Sequence, residues 1–80
     1  MNDEDRARYR KNFGKRLEML MKNRQWTRET FSGALGVSWG SLSGYINGKV
    51  EPSLYVIVKM ARILPCSADI LLDTKGEWEE

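Results

Sequence analysis

The feature that most constrains this chain is the regular placement of residues that start and stop helices. Thr27, Ser38 and Ser67 each carry a side-chain oxygen that can accept a hydrogen bond from a free backbone N–H at a helix start. Gly36 suits the left-handed conformation that ends many helices, and Pro65 cannot continue one. No segment alternates convincingly between apolar and polar residues, as a half-buried strand would. The pattern predicts an all-α chain with five helices, at about residues 5–24, 28–35, 39–46, 54–64 and 68–72.

The first helix has one apolar stripe, and the arginines and lysines between the apolar residues should form an opposite, solvated face. The second helix begins after Thr27, but Thr30 rather than a glutamate follows three residues later. We therefore expect an N-cap at Thr27 without a complete capping box. The stripe on the first helix consists of Tyr9, Phe13, Leu17, Leu20 and Met21.

The fourth helix has more apolar surface than one core-facing side requires. Val56 and Ile63 lie together on a flank of this helix, and Ile70 or Leu71 extends the flank. A small domain should not leave such a patch in water, so the sequence predicts a homodimer contact at Val56, Ile63 and Ile70. The residues expected to face the core are Leu54, Ile57, Met60, Ala61 and Leu64.

Size and composition limit how the chain is stabilised. Eighty residues make one domain, which we place at residues 1–74, followed by a flexible acidic tail at 75–80. With one cysteine and no histidine the chain has no internal disulfide and no evident metal site, so helix packing must supply the core. Cys66 is expected to be a buried, inert thiol, which suits a reducing cytoplasm.

The same features argue against several classes of protein. No apolar run approaches the length of a membrane span, and the amino terminus is not a signal peptide. No activated nucleophile, histidine or metal constellation points to an enzyme, and no cofactor or small-molecule ligand is evident. We therefore expect a cytoplasmic protein without membrane association, cofactor or catalytic activity.

Charge is distributed unevenly along the chain. The net charge is only +2, yet residues 6–62 hold twelve lysines and arginines and three acids, a net of +9. The other eight acids lie at the two ends. A basic body between acidic ends is compatible with a polyanionic partner such as nucleic acid, and equally with a solvated, soluble surface.

The second and third helices are joined by only Gly36, Val37 and Ser38, which is the geometry of a helix-turn-helix. Around this unit, residues 13–72 resemble the lambda-repressor-like family of helix-turn-helix proteins, of the Cro/repressor or xenobiotic-response-element type. The resemblance implies a compact five-helix DNA-binding domain, a homodimer on double-stranded DNA, and a transcriptional regulator, here a repressor of phage or mobile-element type. The matching segments are FGKRLEMLMKNR, WTRETFSGALGVSWGSLSGYINGKVEPS and LYVIVKMARILPCSADILL.

The resemblance also implies which residues meet DNA. In such proteins the third helix lies in the major groove and its first residues reach the base edges. The start of the second helix and the loop after the third contact phosphates. Carried over position by position, the base contacts are Ser38, Trp39, Gly40, Ser41, Ser43 and Gly44. The phosphate contacts are Thr27, Arg28, Asn47, Gly48 and Lys49.

The face of the third helix that is expected to read DNA is atypical. It lacks the Gln, Asn, Arg or Lys side chains that pair with base edges through two hydrogen bonds. Gly40 and Gly44 would let the helix backbone approach the groove closely, and an exposed Trp39 could pack on thymine methyl groups or on sugar. We infer a protein that recognises DNA through its shape, apolar contacts and phosphates. The alternative is a protein-interaction module on the same fold, an antitoxin-like or anti-regulator component, in which this face meets a protein.

Overall fold

The computed structural model describes residues 2–77, which form five α-helices. Helix α1 spans Asp3–Asn23, α2 spans Arg28–Leu35, α3 spans Trp39–Ile46, α4 spans Leu54–Ile63 and α5 spans Ala68–Leu72. The predicted all-α class, with its helix-turn-helix at the second and third helices, is confirmed, and residues 2–77 contain no strand. None of these helices is long and apolar enough to cross a membrane. Residues 78–80 of the predicted acidic tail lie outside the described residues.

The helix starts are capped as the sequence indicates, with one exception. The Thr27 hydroxyl accepts from the Thr30 backbone N–H at 3.1 Å, and the Thr30 hydroxyl accepts from the Thr27 N–H at 3.2 Å. This is a complete capping box, so the prediction of a partial one is wrong. A threonine hydroxyl at the third helical position can accept the returning N–H as a carboxylate does. Gly36 ends α2 in the left-handed conformation, at φ 76°.

All five helices contribute to one hydrophobic core. Trp26, in the turn before α2, packs edge-on against Phe31, with ring centroids 5.4 Å apart. Trp26 is half-buried at the margin of the core, whereas Phe31 is completely buried. The buried apolar residues are Phe13, Leu17, Met21, Phe31, Leu35, Leu42, Tyr45, Ile46, Met60, Leu64 and Leu71.

Two glycines allow α3 and the loop that follows it to lie directly on α1. A Cβ atom at Gly14 would fall 2.0 Å from the carbonyl oxygen of Ile46 and 2.8 Å from that of Tyr45. A Cβ atom at Gly48 would fall 2.8 Å from the Cα of Lys11, and Gly48 also has a positive φ of 73°. The long helix α1 is therefore the platform that sets the position of α3.

Arg16 of α1 is buried, although the sequence pattern placed it on a solvated face. Its side chain is held because Nε donates to the carbonyl oxygen of Leu71 at 2.8 Å and the guanidinium lies 5.9 Å from the Tyr9 ring centroid. Tyr9 in turn donates to the carbonyl oxygen of Leu72, and burial raises the pKa of its hydroxyl. Two side chains of α1 thus hold the carboxyl end of α5, where helix carbonyls lack backbone partners.

The exposed apolar surface of α4 differs from the one predicted. Leu54 was expected to face the core, but 80% of it is exposed because it is the first residue of the helix and lies beyond the edge of the core. Val56 and Ile63 are half-buried and pack partly against the core. Leu54, Tyr55 and Val58 form what we call the α4 apolar face, and Ile70 of α5 is also exposed.

Candidate nucleic-acid interface

The turn between α2 and α3 is fixed by short-range hydrogen bonds. The Ser32 carbonyl accepts from the backbone N–H groups of Gly36, at 2.9 Å, and Val37, at 3.1 Å. Lys59 of α4 donates to the Leu35 carbonyl at 2.6 Å, which places a cation at the carboxyl end of α2. Since cations stabilise this end of a helix dipole, the contact fastens the helix-turn-helix to α4.

Helix α3 has one buried side and one accessible first turn. Leu42, Tyr45 and Ile46 are all less than 10% exposed and pack on the core. At the other side Trp39 is 56% exposed, and Ser38 and Gly40 are exposed as well. The expected exposure of Trp39 is therefore confirmed. The remaining predicted base contacts, Ser41, Ser43 and Gly44, are half-buried.

The hydroxyl groups at the start of α3 bond to each other. The Ser38 hydroxyl accepts from the Ser41 backbone N–H at 3.0 Å and lies 2.9 Å from the Ser41 hydroxyl. Ser38 therefore caps α3, as its type and position predict. Part of the hydrogen-bonding capacity of both serines is used in holding the helix start.

The two glycines of α3 have different surroundings. The nearest atom to a Cβ built on Gly40 is the Ser38 hydroxyl oxygen at 4.0 Å, so this side of the backbone is open. A Cβ on Gly44 would lie 3.1 Å from a methyl carbon of Val50. The loop after α3 thus folds back over Gly44 and leaves Gly40 open, and the close approach of both glycines to a groove stays a prediction. The Gly44 carbonyl accepts from the N–H of Lys49 at 2.9 Å in the same contact.

Arg28 bridges three helices. Its Nη2 donates to a carboxylate oxygen of Glu18 in α1 at 3.0 Å, and its Nη1 lies 3.4 Å from the Ser43 hydroxyl oxygen in α3. The side chains of Arg28 and Glu18 are about one-third exposed, at 34% and 35%. Arg28 is therefore at the predicted interface, and its charge is partly compensated by Glu18, which also lies 3.9 Å from Lys22. The phosphate contact expected for Arg28 stays a prediction.

The loop at residues 47–51 is held to α1 by arginines that the sequence suggested were solvated. Arg6 donates to both carboxylate oxygens of Glu51, at 2.6 and 3.0 Å, and Arg10 donates to the Gly48 carbonyl at 3.2 Å. The hydrogen bond from Arg6 lowers the pKa of Glu51, against a smaller opposing effect of burial. The loop is fastened while Asn47 and Lys49 stay exposed.

Cys66 lies away from this surface, before α5. The thiol is half-buried rather than fully buried, and burial raises its pKa. A raised pKa reduces the fraction of reactive thiolate, which agrees with the inert thiol expected from the sequence.

Sequence reasoning missed the residues that support the interface from a distance. Gly14, Glu18, Arg6 and Glu51 act through contacts between segments well separated in sequence. The one local signal was the surplus of arginines near the amino terminus, and it did not identify their partners.

The comparison with known proteins agrees with this geometry. Residues 17–71 match the profile of a protein family described as Helix-turn-helix. The fold is similar to the crystal structure of the restriction-modification controller protein C.AhdI from Aeromonas hydrophila, with a TM-score of 0.71. The two sequences are 28% identical, and the match covers 76% of this chain and 92% of the other. No curated protein is significantly similar to the chain in sequence.

Proposed function

We propose that this protein, which belongs to the helix-turn-helix family of DNA-binding transcription regulators, is a dimeric repressor that inserts α3 in the major groove. The observation that carries the proposal is the orientation of α3. Its apolar side is buried on α1 and the core, and its first turn, with Trp39 and Gly40, is exposed. A helix presented in this way can enter a groove about 12 Å wide with its first residues toward the bases.

The base contacts in this proposal are five of the six residues predicted from the sequence, and the sixth, Gly44, has a different role. Trp39 supplies apolar contact and the open side of Gly40 allows close approach. Ser38, Ser41 and Ser43 supply hydroxyls, which bond to either kind of base edge and specify little alone. Gly44, which has no side chain, leaves room for Val50 in the loop that follows α3.

Phosphate contacts come from the two ends of the helix-turn-helix. Thr27 is exposed at the start of α2, and Asn47 and Lys49 are exposed after α3. Gly48 brings the loop backbone against α1 beside Lys11, whose side chain is exposed and adds a second cation next to Lys49. Phosphate contacts of this kind position a protein on duplex DNA and carry no sequence information directly.

For the dimer we propose the α4 apolar face together with Ile70. These side chains are exposed, whereas the predicted contacts Val56 and Ile63 are half-buried and at most border such an interface. A two-fold dimer would place two α3 helices about one turn of DNA, roughly 34 Å, apart.

Bound to an operator, the dimer would exclude other proteins from the same groove, which is the basis for proposing repression. The similarity to a restriction-modification controller protein supports a regulatory role, and we propose the phage or mobile-element type predicted from the sequence.

A protein-interaction module is the second candidate function. The observation that favours it is Trp39, a large exposed side chain on a face without the usual base-reading residues. The exposed Lys49 and Lys11, at the loop after α3, favour DNA, because a protein-binding face does not require cations placed for phosphates.

The proposal is tested by titrating a labelled duplex of random sequence with the protein at two salt concentrations. A dimer with roughly six to ten phosphate contacts should lose about 10³- to 10⁵-fold in affinity between about 50 and 200 mM salt. Lys49→Ala should weaken binding and reduce the salt dependence. Lys75→Ala, which removes the same charge from the exposed turn after α5, is the matched control. Binding that is absent at low salt, or equal for the two variants, contradicts the proposed docking.

A further inference from the structure

The first turns of α3 offer little that could discriminate between base pairs. Side chains that distinguish bases well make two hydrogen bonds to one base edge. Residues 38–44 include only serine hydroxyls and the Trp39 indole as polar side-chain groups, and the hydroxyls of Ser38 and Ser41 bond to each other. If the protein selects a sequence by direct contact, part of that selectivity must come from another element.

Arg28 of α2 lies where it can supply this selectivity. Its guanidinium reaches the α3 surface, since Nη1 lies 3.4 Å from the hydroxyl of Ser43, a predicted base contact. Its side chain remains 34% exposed, so it is held in place and still accessible.

The pairing of Arg28 argues against a simple phosphate contact. Glu18 lies 3.0 Å from Nη2 and compensates part of the charge that would attract a phosphate, although its carboxylate also lies 3.9 Å from Lys22. A guanidinium has five N–H donors in a planar fork. Among the described residues, the contacts to Glu18 and Ser43 use two of those donors, which leaves the fork able to bond further acceptors.

We propose that Arg28 reads a guanine in the major groove beside Ser43 and that Glu18 is the positioning residue that aims it, an inference that rests on the proposed DNA-binding function. Guanine presents two acceptors, O6 and N7, to the major groove, which match the two-donor fork of arginine. Glu18 contributes to selectivity in a second way. At a site without guanine Arg28 gains no acceptor from a base, yet the Glu18 carboxylate still lies near the DNA phosphates, which disfavours binding there.

The test uses a duplex that the wild-type protein selects from a randomised pool, its single-base-pair variants, and a random duplex. Arg28→Lys keeps the charge but loses the fork. We expect it to lose about 5- to 150-fold in discrimination at one G·C pair of each half-site. Its affinity for random DNA and its salt dependence should stay near those of the wild type. Circular dichroism of each variant checks that it is folded.

Glu18→Gln tests the positioning role separately. Removing the carboxylate should increase affinity for random DNA, because one negative charge is lost near the phosphates, and should decrease discrimination at the same G·C pair. Glu77→Gln, which removes the same charge at an exposed residue after α5, is the charge control and should leave discrimination unchanged.

Different results would contradict the guanine contact of Arg28 and the DNA-binding function on which it rests. If Arg28→Lys retains full discrimination at every position, or if Arg28→Ala weakens selected and random DNA alike, Arg28 is a phosphate contact and the inference is wrong. If Glu18→Gln leaves discrimination unchanged, the positioning role is wrong. A wild-type protein that binds no duplex at low salt overturns the proposed function itself.

Discussion

Replacing Gly14 with alanine should destabilise the protein, although alanine is the better helix former. Gly14 lies where α1 meets the carboxyl end of α3. A Cβ atom there would be 2.0 Å from the Ile46 carbonyl oxygen and 2.6 Å from its carbonyl carbon. Carbon and oxygen atoms without a normal hydrogen bond rarely approach closer than about 3.3 Å. The two helices would therefore have to separate by more than about 1 Å, and the clashing atoms are backbone atoms that cannot rotate away.

The expected change in the free energy of unfolding follows from two opposing effects. Overpacking a well-packed site costs about 1–3 kcal/mol, and this contact belongs at the upper end because both partners are helix backbone. Alanine recovers about 1 kcal/mol of helix propensity. The net loss should be about 2 kcal/mol, which corresponds to a decrease in Tm of roughly 8–16 °C for a domain of this size.

Two other helical glycines provide matched controls. A Cβ on Gly33 meets no atom within 4 Å, and on Gly40 the nearest is a hydroxyl oxygen at 4.0 Å. Gly33→Ala and Gly40→Ala should each increase stability by up to about 1 kcal/mol. Thermal and urea unfolding, followed by far-ultraviolet circular dichroism, measure all three. A Gly14→Ala variant as stable as the wild type would refute the reasoning, because the predicted loss of stability is derived only from the contact between the added Cβ and the Ile46 carbonyl.

Three further predictions concern the interface and its supports. Trp39→Ala should cost about 1–3 kcal/mol on the selected duplex and much less on random DNA, where phosphate contacts dominate; equal losses in the two titrations would argue against a base-proximal Trp39. Leu54→Asp should leave the circular dichroism spectrum unchanged but convert cooperative operator binding to weak, single half-site binding, and a footprint identical to the wild type would exclude the α4 apolar face as the dimer contact. The hydrogen bond from Arg6 lowers the pKa of Glu51, so the stabilisation from this pair is present at neutral pH and is lost as the pH falls through the lowered pKa. Glu51→Gln should therefore be less stable than the wild type at pH 7 and approach it in strong acid, whereas a constant difference across the acid range would show that the carboxylate charge is not responsible.

The helices could be predicted from the sequence because their signals are local. Ser38 caps α3 and Gly36 turns the chain before it, and both act through residues within four positions. The division of α3 into a buried side and an exposed first turn follows from the same helical period. Thr30 shows the limit of such rules, since its hydroxyl completes a capping box that the residue type alone did not indicate.

The support of the site could not be predicted because it depends on contacts between distant segments. Gly14 gives no sign in the sequence that it faces the Ile46 carbonyl, 32 positions away. Arg16 lies among residues whose pattern predicts a solvated face, yet it is buried against α5. The resemblance predicts that Arg28 contacts DNA, but its pairing with Glu18 becomes visible only when α1 and α2 are packed together.

The central claim is that the first turns of α3 meet the bases, and amide nitrogen–proton NMR spectra test it most directly. The spectra are recorded while the selected duplex, and separately a random duplex, is added to the protein. We expect the signals of residues 47–49 to shift with both duplexes and those of residues 38–44 to shift most with the selected one. Saturating binding of the selected duplex that leaves the signals of residues 38–44 in place would contradict the claim.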